Sequence, residues 1–231
     1  MILVLLGPPG VGKGTQGARI ALHYVLPTIS TGAMLREAIS KGTKLGKIAE
    51  GYRIDRGEYV PDEIIVEAVD ERIEEPDCLN GFLLDGFPRT IPQAKVFAGV
   101  LLKKKRRLTG VIDFYAPIDA VVKRFSGRRI CSICGTTYHI TSQPPKIEGI
   151  CDLEGGTLIT RPDDEPDVVQ HRMEVYHEKT TPLRDYYREC GVLHTIDADQ
   201  DPDLVFRATI ELLNRLEAEE TLIFEQGKWN V

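Results

Sequence analysis

The chain has 231 residues, 42% of them hydrophobic and 28% charged, with a formal net charge of −6. That composition supports a folded core in one large domain with small insertions and excludes a disordered chain. The acidic balance argues against a dedicated nucleic-acid binder, and the first apolar stretch is too short for a signal peptide or a membrane span, so a cytoplasmic protein is expected.

Taken in chain order, Ile2–Leu6 is expected to be a buried strand, and it runs straight into Gly7-Pro8-Pro9-Gly10-Val11-Gly12-Lys13-Gly14-Thr15. A helix is expected from Gln16 onward. A strand that ends in glycines and opens into a helix points several backbone N–H groups into one concavity at the positive end of the helix dipole, which suits nucleotide phosphates. Lys13 adds a mobile cation, and Gly10, Gly12, Gly14 and Thr15 join it as candidate nucleotide-phosphate-binding residues. Gly14 stands where the generic loop has Ser or Thr directly after the lysine.

Four more β-like runs follow, at residues 26–30, 82–85, 111–115 and 192–196. They alternate with helical patterns, which argues for an α/β fold with a parallel sheet wrapped by helices. Pro61 reads as a first helical residue, with Ile64, Ile65, Ala68, Val69 and Ile73 behind it at helical spacing. Ala94, Phe97, Leu101 and Leu102 mark another helix, Val121, Val122 and Phe125 a third, and Leu204 to Leu216 a long last one. The run Lys103-Lys104-Lys105-Arg106-Arg107 reads as the solvated end of a helix, where cations complement the dipole.

Two stretches break the alternation. Residues 30–60 hold short helical runs divided by Gly42 and ended by Gly51 and Gly57, a small helical insertion. Residues 127–164 lose the helical pattern and form a β-rich subdomain too small for a core of its own. Inside it, Cys131, Cys134 and Cys151 have the spacing of a zinc ribbon, with Glu154 at the offset of a fourth ligand and Asp152 as the alternative. A closed four-ligand site is structural, and a metal-free lid is the competing reading. Cys78 and Cys190 are expected to be ordinary thiols. In the tail, Leu222, Ile223, Phe224 and Trp229 are expected to pack back on the body.

Several independent motifs then carry a resemblance. They are the loop from Gly7 to Gln16, Ser30-Thr31-Gly32-Ala33-Met34-Leu35-Arg36, Asp85-Gly86-Phe87-Pro88-Arg89-Thr90-Ile91-Pro92-Gln93-Ala94, Arg124 with Gly127-Arg128-Arg129, and Arg161-Pro162-Asp163-Asp164 with Arg172. Over nearly its whole length the chain resembles the long-form adenylate kinases, whose own loop has the lysine-glycine-threonine order. The resemblance implies a doubly wound five-stranded P-loop core (residues 1–29, 61–126 and 165–231), a nucleoside-monophosphate-binding insertion (30–60) and a lid (127–164) with structural Zn2+. It implies a monomer that transfers a phosphoryl group in line from MgATP to AMP, giving two ADP, with no phosphoenzyme. Hinges are expected near Gly127 and Asp164.

By the same resemblance, Lys13, Arg89, Arg124, Arg128, Arg161 and Arg172 are the catalytic cations. Arginine suits this work because its planar fork binds phosphate oxygens in pairs and keeps its charge. Arg36 and Arg89 hold the AMP α-phosphate, joined by Arg161 and Arg172. Thr31 and Gln93 read the adenine edge, with backbone groups at Gly32, Val60 and Gly86 completing the pocket. Tyr138 and His139 in the lid and the segment from Ala198 to Pro202 are candidates for the ATP base. Asp85 ends a core strand and is expected to hold Mg2+ through water, with a turn cap as the alternative. A kinase for UMP or CMP and a zinc-ribbon nucleic-acid module are the rival readings.

Overall fold

The computed structural model describes residues 1–52 and 58–225. Gly57, one boundary of the helical insertion, and Trp229 in the tail lie outside the described residues. Five parallel strands form the central sheet: β1 (Ile2–Leu6), β2 (Thr28–Ser30), β3 (Phe82–Asp85), β4 (Gly110–Tyr115) and β8 (Leu193–Asp197), in the order β2-β3-β1-β4-β8. The five expected strands are all present, and the second is shorter than expected because the chain enters it only after Pro27, which has no N–H to give a ladder.

The central strands β1, β3 and β4 are buried on both faces, as a sheet covered on both sides requires, while the edge strands β2 and β8 are more polar and more exposed. Ile2, Val4 and Leu6 enter one core cluster with Phe82, Leu84 and Val111. Leu3 and Leu5 enter the other with Leu83, Ile112 and Phe114. The first cluster is closed by α2 (Thr31–Ser40), α3 (Lys44–Gly51), α4 (Asp62–Arg72), α5 (Ile91–Lys103) and α8 (Pro182–Glu189), and the second by α1 (Lys13–Tyr24), α6 (Ile118–Gly127), α7 (Pro166–Val175) and α9 (Pro202–Glu225). Burying each leucine stabilises the fold by about 1.5–3 kcal/mol.

Register fixes where the carboxyl ends of the strands fall. Leu5 pairs with Asp85, Ser30 also pairs with Asp85, and Leu6 pairs with Asp113. The ends of β1, β2 and β3 therefore converge beside the glycine loop, at the edge where open parallel sheets hold their ligands.

A second, antiparallel sheet, β6-β5-β7, is built from β5 (Arg128–Cys131), β6 (Thr137–His139) and β7 (Leu158–Ile159). Its buried cluster is only Cys131, Tyr138 and Cys151, with Leu158 packed against them. Apolar packing of that size does not hold a subdomain alone.

Three local expectations need correction. Pro61 caps α4 rather than opening it, so the first helical residue is Asp62. The basic run is more than a solvated helix end: Lys104 pairs with Asp70 at 3.0 Å, and Arg106 donates to the carbonyl of Cys78 and stacks 4.9 Å from the Phe82 ring. Those contacts tie the end of α5 to α4 and β3. Residues 165–191 had no expected helix, yet they form α7, a π-helical turn at Tyr176–Thr180, and α8.

Candidate phosphate and nucleotide site

The loop after β1 is shaped by its glycines. Gly7, Gly10 and Gly12 all have positive φ, and a Cβ at Gly10 would lie 2.5 Å from the Phe125 ring. The left-handed backbone favours glycine, and Phe125 closes the loop from α6. Lys13 donates to the carbonyls of Gly7 at 2.6 Å and Pro8 at 2.8 Å, so its ammonium folds over the loop. Burial pulls the Lys13 pKa down to about 8, with Asp85 pulling the other way and Arg89, Arg172 and Arg128 adding to the fall. Gly14 and Thr15 open α1, and a Cβ at Gly14 would lie 3.9 Å from Asp85 Oδ2, which puts that carboxylate beside the first helical turn.

Across the strand ends lies a second group. The Gly86 carbonyl accepts from Thr31 Oγ1 at 2.8 Å and from Arg89 Nε at 2.7 Å. Gly86 itself has φ of 79°, and a Cβ there would crowd both partners, 3.0 Å from Arg89 Nη2 and 3.2 Å from Thr31 Oγ1. Val60 is buried against the same cluster as Ile29 and Leu84. Gln93 is almost fully buried; its Oε1 accepts from the Arg89 N–H at 2.7 Å and its Nε2 donates to Asp62 Oδ1 at 2.7 Å. Thr31 and Gln93 thus already serve the protein, using some of their hydrogen-bonding capacity internally.

Arg36 rises from α2, with Gly32 beneath it, so that a Cβ at Gly32 would lie 3.3 Å from Arg36 Nη1. Arg36 is open to solvent on one side, yet the protein around its guanidinium and the charge of Arg161 hold its pKa down to about 10. Arg161 is lowered too, by burial and then by Arg128, and its Nε is buried with no hydrogen-bond partner among the described residues. Arg128 is held by a bidentate pair with Asp164, 2.7 Å from Nε to Oδ2, and stacks 4.7 Å from the Phe125 ring. Arg172 donates 2.8 Å to both the carbonyl and the Oδ2 of Asp163; burial lowers its pKa against that acid. Lys13, Arg36, Arg89, Arg128, Arg161 and Arg172 feel one another's charge, and Asp85, Asp163 and Asp164 oppose them in the same cluster.

Arg124 stands apart. It donates to the carbonyls of Val11 at 2.9 Å and Ala198 at 2.7 Å, joining the glycine loop to the segment after β8. Its plane therefore borders the loop rather than the centre of the cation cluster, next to the segment from Ala198 to Pro202.

In the second sheet the sulfurs of Cys131, Cys134 and Cys151 all lie within 4.8 Å of one another. The N–H of Ile133 points at the Cys131 sulfur, 3.4 Å away, and a Tyr138 hydrogen bond leads the causes that lower the Cys151 thiol to about 6. Three converging thiols, one of them readily ionised, are a donor set that fits zinc. Glu154 and Asp152 both stand outside this group, Asp152 because its Oδ1 accepts from the Lys146 N–H at 2.9 Å. Tyr138 turns its hydroxyl to Cys151 at 3.4 Å and accepts from the Asp152 N–H at 2.8 Å. Its side chain thus belongs to the interior of the small antiparallel subdomain and not to the cation cluster. His139 is not a free surface histidine: Nδ1 accepts from the N–H groups of Thr141 and Ser142, and Nε2 is buried against Gly127.

Other residues at the site escaped the sequence reading. Asp62 and Thr90 bracket Gln93, and Thr180 donates to the Arg89 carbonyl at 2.9 Å while accepting from the Tyr59 hydroxyl at 3.2 Å. The Tyr59 ring lies 4.7 Å under the Arg89 guanidinium. An acid directly behind Pro61 was a signal for Asp62, but it read equally well as a helix start. Thr180 carried no signal at all.

A family model described as Adenylate kinase matches residues 5–192. Adenylate kinase from Archaeoglobus fulgidus is 45% identical over 218 residues, 94% of this chain and all of that protein. Adenylate kinases from Staphylococcus aureus and Staphylococcus epidermidis are each 47% identical over 216 residues, again 94% of this chain and the whole of each relative.

Proposed function

The chain belongs to the adenylate kinase family, and from that premise we infer that it transfers a phosphoryl group reversibly between ATP and AMP, giving two ADP. The observation that carries the reading is the cation cluster: six positive side chains from six separate places along the chain converge on one crevice, opposed there by Asp85, Asp163 and Asp164. Such an excess is stable only when an anion of comparable charge completes it, and two nucleotides end to end supply that charge.

The division of labour follows from position. Lys13 and the N–H groups of Gly10, Gly12, Gly14 and Thr15 take the ATP phosphates, because the positive end of α1 points there. Arg36 and Arg89, on the far side of Asp85, take the AMP phosphate; Arg89 has its Nε committed to Gly86, which leaves its terminal nitrogens for a ligand. Arg128, Arg161 and Arg172 span the gap, where charge spreads over the transferring group. Transfer of this kind asks the protein for alignment, charge neutralisation and exclusion of water, and no covalent intermediate. Magnesium bound with ATP neutralises charge on the phosphate oxygens, and Asp85 is the residue placed to hold it through water.

The base of AMP is read by Thr31 and Gln93, and that of ATP from the side of Arg124, Ala198 and His139, with Tyr138 contributing through its main chain. Residues 30–60 act as the monophosphate-binding insertion and residues 127–164 as the lid. Closure of the lid over the substrates would sequester the transfer from water. Zinc, held by Cys131, Cys134 and Cys151 with Glu154 or Asp152 brought in as the fourth ligand, replaces the core that the lid lacks. No described helix is long and apolar enough to cross a membrane; a cytoplasmic monomer is the working form.

The test is turnover of ATP with AMP, GMP, UMP and CMP as acceptors. AMP is expected to exceed the pyrimidine nucleotides by at least about tenfold in kcat/KM, the return on one good hydrogen-bond match. Equal rates with UMP or CMP would overturn the base assignment.

A further inference from the structure

Gln93 is buried to 2% of its surface, and its amide is gripped at both ends by groups that each have one hydrogen-bonding sense. The Arg89 backbone N–H, 2.7 Å from Oε1, only donates. Asp62 Oδ1, 2.7 Å from Nε2, only accepts when ionised. Turning the amide over would set donor against donor at Arg89 and oxygen against carboxylate at Asp62. The orientation is therefore fixed by the network itself.

Asp62 is fixed in turn. Its second oxygen, Oδ2, accepts from Thr90 Oγ1 at 2.7 Å, and the same hydroxyl accepts from the Gln93 N–H at 3.2 Å as the cap of α5. The Thr90 proton must then go to Asp62, since its lone pairs face Gln93. Asp62 also sits in the first turn of α4, where the helix dipole favours a negative charge.

An amide has four hydrogen-bonding positions, two donor and two acceptor. Two are used inside the protein, which leaves one N–H and one oxygen lone pair, in a fixed order, for a ligand. A 6-aminopurine presents an acceptor at N1 and a donor at its amino group; a 6-oxopurine presents a donor at N1 and an acceptor at O6. The two need opposite orientations of the same amide. We propose that Asp62 is a specificity-determining positioning residue, which locks the Gln93 amide so that the acceptor site admits 6-aminopurine monophosphates and rejects 6-oxopurine ones.

This rests on the reading of Gln93 as a base contact in an AMP site. The experiment compares kcat/KM for AMP and IMP in the wild type, in D62N and in D62S. IMP differs from AMP only at the 6-position and N1, so the phosphate contacts are common to both. Both substitutions place a group that donates as well as accepts beside Nε2, and either one alone suffices if the other fails to fold. The AMP-to-IMP preference is expected to fall about tenfold in the variants, the worth of one buried hydrogen-bond mismatch, with KM for ATP unchanged. An unchanged preference, with both substrates slowed equally, would overturn the proposal, because a purely structural role has no reason to tell the two bases apart. A wild type without AMP-dependent turnover would instead defeat the activity on which the proposal stands.

Discussion

Lys13 shows how a single residue is tuned by its surroundings. Its ammonium is held at about 8 by burial and by three arginines, and only Asp85 supports the charge. Nucleotide phosphates bring negative charge to the same place and raise that pKa again. Binding of ATP at pH 8.5 is therefore expected to take up roughly three-quarters of a proton per site. Titration calorimetry in buffers of different ionisation enthalpy measures this, and Lys13→Met should abolish the uptake; equal proton counts in both proteins would contradict the role of Lys13. The phosphate loop and most of the arginines were legible in the sequence because each sits beside a glycine, a proline or an element end, in motifs with fixed spacing. Asp62 was not, because one carboxylate after a proline serves a helix start and an amide lock with the same letters. Glu154 read as a zinc ligand from its offset alone, yet spacing does not set where an exposed side chain on a loop comes to rest.

At the scale of elements, the π-helical turn at Tyr176–Thr180 is the piece the sequence hid. Helical periodicity predicts 3.6 residues per turn, and a π-turn breaks that count between α7 and α8, whose starts were marked only by Pro166 and Pro182. The turn brings the buried Thr180 to the Arg89 carbonyl and to Tyr59, which stacks on the Arg89 guanidinium. Thr180→Val is expected to raise KM for AMP roughly three- to tenfold with KM for ATP unchanged, the loss of about one hydrogen bond. Tyr59→Leu should act on the same arginine, so the double variant should cost less than the two single losses multiplied together. Strict multiplication would mean that the two residues do not share a route to Arg89. In the antiparallel subdomain, three buried residues form the apolar cluster among the described residues, so Cys151→Ser is expected to release bound metal, measured by elemental analysis, and to lower the first thermal transition while the core transition stays. Unchanged metal content would exclude the thiol cluster as the ligand set.

Across the whole molecule, one parallel sheet does the positioning, and its alternating apolar strands made the core readable from sequence. Within the buried central strands Asp113 of β4 departs from that pattern, beside Leu6 and 2.7 Å from Arg184 of α8. Burial raises the Asp113 pKa, and Arg184 opposes the rise. Arg184→Met removes the paired cation from that buried carboxylate and should cost about 2–4 kcal/mol at pH 7. The loss should shrink as pH falls, because an acid whose folded pKa is raised gains protons in the folded state first; denaturant titrations at pH 7 and pH 5 measure it, and a pH-independent loss would place the cost in packing instead. The strand ends, the helix N-terminus and the lid arginines have a common purpose only if two nucleotides meet between them. The most direct measurement is the rate of ADP formation from ATP with and without AMP in the wild type, Lys13→Ala and Arg89→Ala, with folding checked by circular dichroism. Formation of two ADP per ATP consumed, only when AMP is present, and a fall of at least about 100-fold in both folded variants are expected; ATP hydrolysis independent of AMP, or near-normal rates in the variants, would contradict a two-nucleotide site at this crevice.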